Sequence, residues 1–332
     1  MPSVFYRLRS WEGLLLLFLL VVMAYNVSSV SNFLTVNNQI NLFQLGIEKS
    51  IVALTMAFVI ISGEIDLSVA SMMGLSAAIV AYLFEQGMPM SLCILAALAV
   101  GVGLGALNGI LIATTGLSSL AITLAGYIGF RGLAQLLVED RSIGGFPGWF
   151  TELGQQGIVG PVTLSILIFF IFAAIAVVIL HFSGFGRRTY AIGNSAAVSR
   201  YSGVPVARTK ITIFIFSGLV ASLAGVLITA RLGAVRASTA QGFELDIITI
   251  VLLGGVSIFG GIGTMGGVLL SIFLVLNLRN GLVIAGVTGN TQTGIIGLLL
   301  ILSVLVPNLM AKARGRMRRT QSTTGPHAPS VS

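Results

Sequence analysis

Long apolar runs separated by short polar connections make up nearly the whole chain. The runs have about the 20 residues that an α-helix needs to cross a hydrocarbon core of about 30 Å. The pattern therefore predicts an all-α polytopic membrane protein with about ten transmembrane helices. The predicted spans are residues 11–30, 45–62, 67–84, 91–113, 119–138, 161–182, 211–230, 245–262, 266–286 and 290–310.

Composition agrees with a membrane location. Hydrophobic residues make up 56% of the chain, charged residues make up 8%, and the mean hydropathy is +1.02. A soluble domain has about a quarter charged residues, so this composition excludes that class. The 41 glycines are typical of membrane helices that approach one another closely or break to line a pathway. Cys93 is the single cysteine, so no disulfide and no cysteine-based metal site is predicted. His181 lies at a predicted helix end and His327 lies in the tail, so neither histidine indicates a metal site.

Basic residues are concentrated on one side of the predicted membrane. With ten spans, three basic clusters fall on the same side, which the positive-inside rule makes cytoplasmic together with both termini. We expect residues 1–310 to form one transmembrane domain with a cytoplasmic connection at 183–210, followed by a basic and then disordered tail at 311–332. Because the clusters flank spans and lack interleaved aromatics, a nucleic-acid partner is not expected. The clusters are Arg7 and Arg9; Arg187, Arg188, Arg200, Arg208 and Lys210; and Lys312, Arg314, Arg316, Arg318 and Arg319.

Two pairs of short segments indicate an inverted repeat of spans 2–5 and 7–10. Residues Glu64–Leu67 open the third span and residues Glu244–Ile247 open the eighth. Residues Asn108–Ala113 end the fourth span and residues Asn280–Ala285 end the ninth. Matches five spans apart make the two halves run in opposite directions, and such repeats build a transport pathway at their interface. Since the matches are short, chance similarity is the alternative.

Residues 63–68, which we call the acid segment, place Glu64 and Asp66 between two apolar runs. A carboxylate at the bilayer centre costs about 2.5–3.5 kcal/mol on insertion scales. The neighbouring Gly63 and Ser68 predict a helix break whose backbone amides satisfy the charge. The segment is either a hinge or lining element of the pathway, or a capped turn at the interface. Polar side chains in apolar surroundings are the candidates to touch a solute: Glu64, Asp66, Asn108 and Asn277.

Glycines form two further patterns. The densest cluster includes Gly254, Gly255, Gly260 and Gly261, and residues 261–266 match the dinucleotide fingerprint formally. A nucleotide site there is not expected, because the neighbours are membrane spans and no acidic residue follows Asp246. Close helix packing or a flexible turn is the favoured interpretation. Gly101, Gly105 and Gly109 form a stripe on one helix face, which favours packing against another helix over a small-residue wall of a solute path.

Four arginines lie near the predicted outer ends of spans: Arg131, Arg231, Arg236 and Arg279. We expect most of them to extend to the lipid headgroups, and one or two of them to meet an acidic receptor surface. The chain has no Gly-x-x-x-x-Gly-Lys-Ser/Thr phosphate loop, so it does not hydrolyse ATP by that route. It also lacks the ladder of intramembrane acids and histidines that many ion-driven transporters contain.

Residues 186–203 form a basic, polar island in an otherwise apolar chain. The chain resembles permease subunits of bacterial ATP-binding-cassette importers for sugars of the ribose, galactose, rhamnose and autoinducer-2 type. The segments that carry the resemblance are this island, the acid segment, residues 108–109 with 123–124 and 131–134, and residues 251–267. The resemblance covers nearly the whole chain except the tail. The chain departs from many relatives in two places: they have a proline near Ser118, before the fifth span, and two glycines where this chain has Gly193-Asn194.

The resemblance implies an inner-membrane subunit that binds no cofactor of its own. A cytoplasmic ATPase would bind ATP and Mg²⁺, a periplasmic protein would deliver sugar, and a second permease copy or a paralogue would complete the pathway. The island would then contain the coupling helix that contacts the ATPase, although a merely solvated basic loop is the alternative. The implied coupling residues are Arg187, Arg188, Tyr190, Gly193, Asn194, Ala196 and Ala197.

The resemblance favours a neutral monosaccharide as the solute. Glu64 within Ile60–Ser68 is similar to rhamnose permeases, whereas many relatives have glycine there, so rhamnose is expected first. Autoinducer-2, a pentose or a hexose comes next. A stand-alone solute carrier or channel is the alternative from another class, and a membrane enzyme is a weaker one.

Overall fold

The computed structural model describes residues 11–29, 33–289, 291–292, 294–299, 301–302 and 305, and most of them are helical. The helices are α1 (Trp11–Ser29), α2 (Val36–Gln44), α3 (Ile47–Ile61), α4 (Val69–Glu85), α5 (Met90–Thr115), α6 (Ser119–Val138), α7 (Gly148–Gln155), α8 (Leu164–Phe182), α9 (Gly184–Asn194), α10 (Ala196–Tyr201), α11 (Val206–Leu232), α12 (Phe243–Leu253) and α13 (Met265–Ile284). The strands are β1 (Ser142–Gly144), β2 (Gly157–Val159), β3 (Val162–Thr163) and β4 (Ala234–Arg236).

The prediction of a polytopic all-α membrane protein is confirmed, but ten full spans are not. Within the described residues, six helices are long and apolar enough to cross a membrane: α1, α5, α6, α8, α11 and α13. Helices α2 and α3 meet at a bend of 56° and together make a seventh candidate, while α4 is a shorter apolar helix. The eighth predicted span, 245–262, is wrong in length, because α12 ends at Leu253 and irregular chain follows to Thr264. The tail at 311–332 and much of the tenth predicted span lie outside the described residues.

Three short helices occupy the centre of the molecule. Every residue of α3 except Thr55 is buried, and so are most residues of α4 and α12. The longer helices pack around them: α11 lies along α5, α4 and α3, α6 lies along α4, and α13 lies along α1. A helix that is apolar on all sides is typical of such a core position. The outer helices keep large apolar side chains exposed, as α8 does at Phe170 and Val178, which suits contact with lipid.

The glycine stripe of α5 packs against α11. A Cβ atom on Gly101 would lie 2.3 Å from Ser222 Oγ, and one on Gly105 would lie 2.3 Å from the carbonyl oxygen of Phe214. Gly218 of α11 is equally close to the backbone of α5. Small residues on both helices therefore let the two backbones approach, and the stripe is a packing surface.

The bundle has two distinct ends. At one end, which we call the β end, β1 pairs antiparallel with β4, with Ile143 opposite Val235, and β2 pairs with β3 near α7. The sequence analysis missed these strands, because each has only two or three residues. At the other end, which we call the α9 end, α8 leads into α9 and α10, and α11 begins. The polar island is therefore folded into two short helices.

Candidate functional site

Helices α9 and α10 begin at serine caps. The Ser183 hydroxyl accepts hydrogen bonds from the backbone N–H groups of Phe185 (3.1 Å) and Gly186 (3.2 Å), and the Ser195 hydroxyl accepts one from Val198 N–H (3.3 Å). Such caps satisfy amides that the first helical turn leaves free. Gly203 (φ +80°) and Pro205 then separate α10 from α11. The polar connection is thus folded into two capped helices at the α9 end.

The predicted coupling residues divide into two sets. Arg187, Arg188, Asn194 and Ala197 are exposed, whereas Ala196 is half-buried. Tyr190 and Gly193 instead face the bundle. The contact of the coupling residues with an ATPase, which the resemblance implied, stays a prediction. Two exposed apolar residues of α10 were missed: Val198 is 64% exposed and Tyr201 is 94% exposed. Their spacing of three residues within a polar island was the signal that could have identified them.

The inner side of α9 forms what we call the glycine junction, where Gly63, Gly193, Gly260 and Gly261 meet. Gly261 N–H donates a 2.9 Å hydrogen bond to the carbonyl oxygen of Ile61. A Cβ atom on Gly193 would lie 1.9 Å from that oxygen and 2.4 Å from the Gly261 nitrogen. One on Gly260 would lie 2.7 Å from Gly63 Cα. Three chain segments therefore touch backbone to backbone at this point.

Two features fix the geometry of this junction. Gly63, Gly260 and Gly261 have φ values of +82°, +82° and +71°, a region that glycine adopts at low cost. The Tyr190 hydroxyl donates a 2.7 Å hydrogen bond to the carbonyl oxygen of Gly263. The phenol of Tyr190 is protonated at neutral pH, and burial raises its pKa further, so it remains a hydrogen-bond donor. Helix α9 is thus connected to the α3–α4 loop and to the α12–α13 turn at the same point.

The acid segment continues directly from the junction and is held by several helices. Glu64 forms an ion pair with Lys210 at the start of α11. Ile65 N–H donates to Ser119 Oγ (3.1 Å), and the Ile65 carbonyl oxygen accepts from Thr123 Oγ1 (3.2 Å), so the backbone between α3 and α4 is fastened to α6. A break in a membrane helix is tolerated where neighbours satisfy the freed backbone groups in this way.

Asp66 is fully buried, and no Lys or Arg side chain of the described chain pairs with it. It accepts hydrogen bonds from Ser68 N–H (2.9 Å), Ser68 Oγ (2.6 Å) and Ser217 Oγ (3.2 Å). Asn108 of α5 donates to Ser68 Oγ (2.9 Å). The ion pair at Lys210 and the contact at Ser217 lie seven residues apart on α11, about 10 Å along its axis. The acid segment therefore runs from a charged edge into the apolar interior.

The α12–α13 turn also carries several anchors at the α9 end. Gly254 packs against Val268 of α13, where a Cβ atom would lie 2.8 Å from Val268 Cα. Gly255 (φ +85°) lies against the ring of Trp11, whose Nε1 donates to the Leu253 carbonyl oxygen (2.8 Å). Thr264 caps α13 by accepting from Gly267 N–H (3.0 Å). The predicted packing glycines thus form an ordered turn between buried helices.

The β end contains a separate set of buried charges. Asp246 at the start of α12 binds Lys49 (2.5 Å) and Arg279 (2.7 Å). Glu48 of α3 binds Arg231 at the end of α11 through two hydrogen bonds of 2.7 and 3.2 Å. The expectation that these arginines extend to headgroups is therefore wrong for Arg231 and Arg279, because acidic partners hold them. Asn277 packs beside α1, where its backbone carbonyl accepts from Asn26, so it lies apart from Glu64, Asp66 and Asn108.

In each half of the proposed inverted repeat, the segment that opens one span contacts the end of the next span. Asn108 lies beside the acid segment at the α9 end, and Arg279, next to Asn280, binds Asp246 at the β end. Helix α3 separates Lys49 from Ile61 by twelve residues, about 18 Å, so the two meetings lie at opposite ends of the bundle. This arrangement is the one that an inverted repeat would produce, although the bonds differ between the halves.

Backbone contacts and one histidine hydrogen bond connect the helices at the α9 end. Within the described residues, no group of three or more His, Cys, Asp or Glu side chains is placed to hold a metal ion. His181 accepts a hydrogen bond from Met265 N–H (3.1 Å), which joins the end of α8 to the start of α13. A displacement of α9 would instead move the acid segment and the α12–α13 turn together, since both contact it through backbone atoms.

Comparisons with known proteins agree on one family. Residues 38–304, well over half of the chain, match the family described as branched-chain amino acid transport system / permease component. The autoinducer 2 import system permease protein LsrD of Yersinia enterocolitica is 35% identical over 308 residues, which cover 90% of this chain and 92% of that protein. The proteins of the same name from Yersinia pseudotuberculosis and Yersinia pestis are 34% identical with the same coverage. No solved structure matches.

Proposed function

The chain belongs to the bacterial importer-permease family that the description "branched-chain amino acid transport system / permease component" denotes, and on this premise we propose that it is the membrane subunit of an ATP-driven importer of autoinducer 2. The family supplies the coarse function, which is a permease of an ATP-binding-cassette importer. The proposed solute comes from the names of relatives that match almost end to end. The family description itself names amino acids, so family membership alone does not select a solute.

Rhamnose, which the sequence analysis favoured, has no support among these relatives. That expectation depended on Glu64 as a distinguishing residue. In the structure Glu64 forms an ion pair with Lys210. A pentose or hexose remains a second candidate only as a member of the same class of small hydroxylated solutes.

The observation that carries the proposal is the glycine junction. We propose that the α9 end is cytoplasmic, as are both termini, and that a separate ATPase binding ATP and Mg²⁺ docks on the outer face of α9 and α10. Arg187 and Arg188 are placed to pair with acidic side chains, and Val198 and Tyr201 supply apolar contact. Buried aromatic anchors carry a large share of the free energy of protein interfaces. ATP-driven closure then moves α9, and Gly193 passes the motion to both irregular segments.

The remaining partners follow from the same family. A periplasmic binding protein would deliver the solute at the β end, and a second permease, identical or paralogous, would complete the pathway. The exposed apolar faces of α5, α6 and α8 are available to that second permease and to the lipids of the inner membrane. The proposed membrane-spanning domain is residues 1–310, with the coupling connection at 183–210.

Reconstitution tests the proposal. The complex is purified from native membranes through a tag on this chain, incorporated into proteoliposomes, and supplied with its binding protein and labelled autoinducer 2, ribose or rhamnose. We expect uptake of autoinducer 2 that requires ATP on the α9 side and stops with a non-hydrolysable analogue. Uptake that is indifferent to ATP would overturn the proposal and favour a stand-alone carrier, and ATP-driven uptake of rhamnose alone would overturn the proposed solute.

A further inference from the structure

Arg131 and Glu244 are buried charges that the coupling mechanism does not use. Arg131 lies on α6 and is 9% exposed, and Glu244 lies in the first turn of α12 and is 8% exposed. Their opposite charges are near enough to attract each other, yet the two side chains form no ion pair within 4.0 Å in the described structure. In this they differ from Asp246 and Glu48 at the same end, which both form ion pairs.

Both side chains present a polar atom without a protein partner. Arg131 Nε and Glu244 Oε2 are buried and accept or donate no hydrogen bond to any described residue. Buried polar groups are nearly always paired, and an unpaired charged group is the most costly exception. An unpaired donor and an unpaired acceptor near each other therefore indicate a site where a ligand or a water molecule supplies the missing hydrogen bonds.

The rest of the Arg131 side chain is held firmly. Its Nη1 donates to the carbonyl oxygen of Thr239 (2.8 Å), in the irregular segment before α12. Gly74 of α4 makes this approach feasible, since a Cβ atom there would lie 2.8 Å from Nη1 and 2.9 Å from the Thr239 oxygen. Ala240 (φ +60°) and Gly242 (φ +80°) give the segment the turn that presents Thr239 inward. The hydrogen bond from Nη1 therefore holds the guanidinium in place, while its Nε has no hydrogen-bond partner among the described residues.

The region is reachable from the surface of the chain. Gln241 and Gly242, three and two residues before Glu244, are exposed, and Leu245 is 55% exposed. Tyr127, one turn before Arg131 on α6, is half-buried and adds an aromatic face with a hydroxyl group. Polar groups beside an apolar and aromatic wall are typical of small-molecule sites.

We propose that Arg131 and Glu244 form a binding station for a hydroxyl group of the transported solute, in the half of the membrane nearer the β end; this inference rests on the proposed function. A hydroxyl group is both a donor and an acceptor, so one hydroxyl can accept from Arg131 Nε and donate to Glu244 Oε2. The opposite charges of Arg131 and Glu244 balance each other, so the station suits a neutral hydroxylated solute, which brings no charge that needs a counter-ion. Its opposed charges also leave the solute free to move on once the helices shift.

The test uses the complete proteoliposome complex with labelled autoinducer 2. The variants are Glu244→Gln, which keeps the shape but removes the strong acceptor, and Arg131→Gln. Arg141→Gln, an exposed arginine next to β1 at the same end, is the matched control. We expect both station variants to lower uptake per ATP hydrolysed about tenfold or more, since hydrogen bonds to charged groups are the strong ones, while stimulation of ATP hydrolysis by the loaded binding protein persists. The control should equal the wild type.

The outcomes separate this inference from the proposed function. If the wild-type complex shows no ATP-dependent uptake, the proposed function fails first. If the wild type transports and either station variant takes up solute within twofold of it, the binding station is wrong. If Glu244→Gln does not fold, Glu244→Asp is measured in its place; loss of folding in every variant would show that the two residues are structural and would equally overturn the station.

Discussion

Substitution of Gly193 by alanine tests the proposed route of energy transfer most sharply inside this chain. The added methyl group would lie 1.9 Å from the Ile61 carbonyl oxygen, whereas ordinary contacts begin at 3.4 Å. Helix α9 and the α3–α4 loop must therefore separate by about 1.5 Å, the difference between these two distances. The 2.9 Å hydrogen bond from Gly261 N–H to Ile61 lies in the same gap and would be broken.

The size of the effect follows from those two changes. Overpacking of a tight contact costs about 1–3 kcal/mol, and a buried amide left without its acceptor costs about 1–3 kcal/mol. Each 1.4 kcal/mol is about a factor of ten in an equilibrium between conformations. If the inward and outward conformations differ in the junction, we expect Gly193→Ala to reduce uptake at least tenfold while the ATPase subunits continue to hydrolyse ATP.

The assay measures ATP hydrolysis and uptake of labelled autoinducer 2 in the same proteoliposomes. Gly184→Ala is the matched control, because it changes the same helix and its new methyl group would meet nothing closer than 3.7 Å. The control should retain the wild-type ratio of uptake to hydrolysis. A folded Gly193→Ala complex with an unchanged ratio would refute the reasoning.

Three further predictions concern packing, charge and docking. Gly105→Leu should abolish folding, because the new side chain would overlap the backbone of α11. Gly103→Leu is the control: a Cβ atom there meets nothing within 4 Å, so its thermal unfolding temperature should stay within a few degrees of the wild type. Equal behaviour of the two variants would contradict the packing of α5 against α11. Lys210→Met should lower the free energy of unfolding of the purified subunit by about 3–5 kcal/mol, because it leaves the largely buried carboxylate of Glu64 without its partner. The double variant with Glu64→Gln should recover most of that loss, as measured by thermal or denaturant unfolding, and no recovery would contradict the pairing. Tyr201→Ala should weaken ATPase binding about tenfold or more in a pull-down titration without changing subunit stability, and unaltered affinity would exclude Tyr201 as an anchor.

The sequence predicted elements whose signal is local and missed those set by tertiary packing. Apolar run length located α1, α5, α6, α8, α11 and α13 closely. It failed at α12, since continuous hydrophobicity over 245–262 does not reveal that the chain stops being helical after Leu253. The glycines there were visible in the sequence, but the positive φ values at Gly260 and Gly261 depend on the opposing backbone of α9.

The candidate site shows the same division. Its members were found as polar or glycine-rich interruptions of apolar runs, including the acid segment and Gly193. Their partners were not predictable, because Glu64 and Lys210 are 146 positions apart and Tyr190 and Gly263 are 73 apart. Arg231 and Arg279 were misplaced for the same reason, as their acidic partners come from distant helices.

The most direct measurement of the central claim, that an ATPase docks on α10 and drives this subunit through α9, is site-specific photocrosslinking. A photoreactive phenylalanine analogue is introduced at Tyr201, which is 94% exposed at the α9 end, or at Trp149, which is 51% exposed at the β end. Illumination of the native complex should join the ATPase to the chain from position 201 and not from position 149. An ATPase adduct from position 149, or none from position 201 in a complex that still contains the ATPase, would contradict the account.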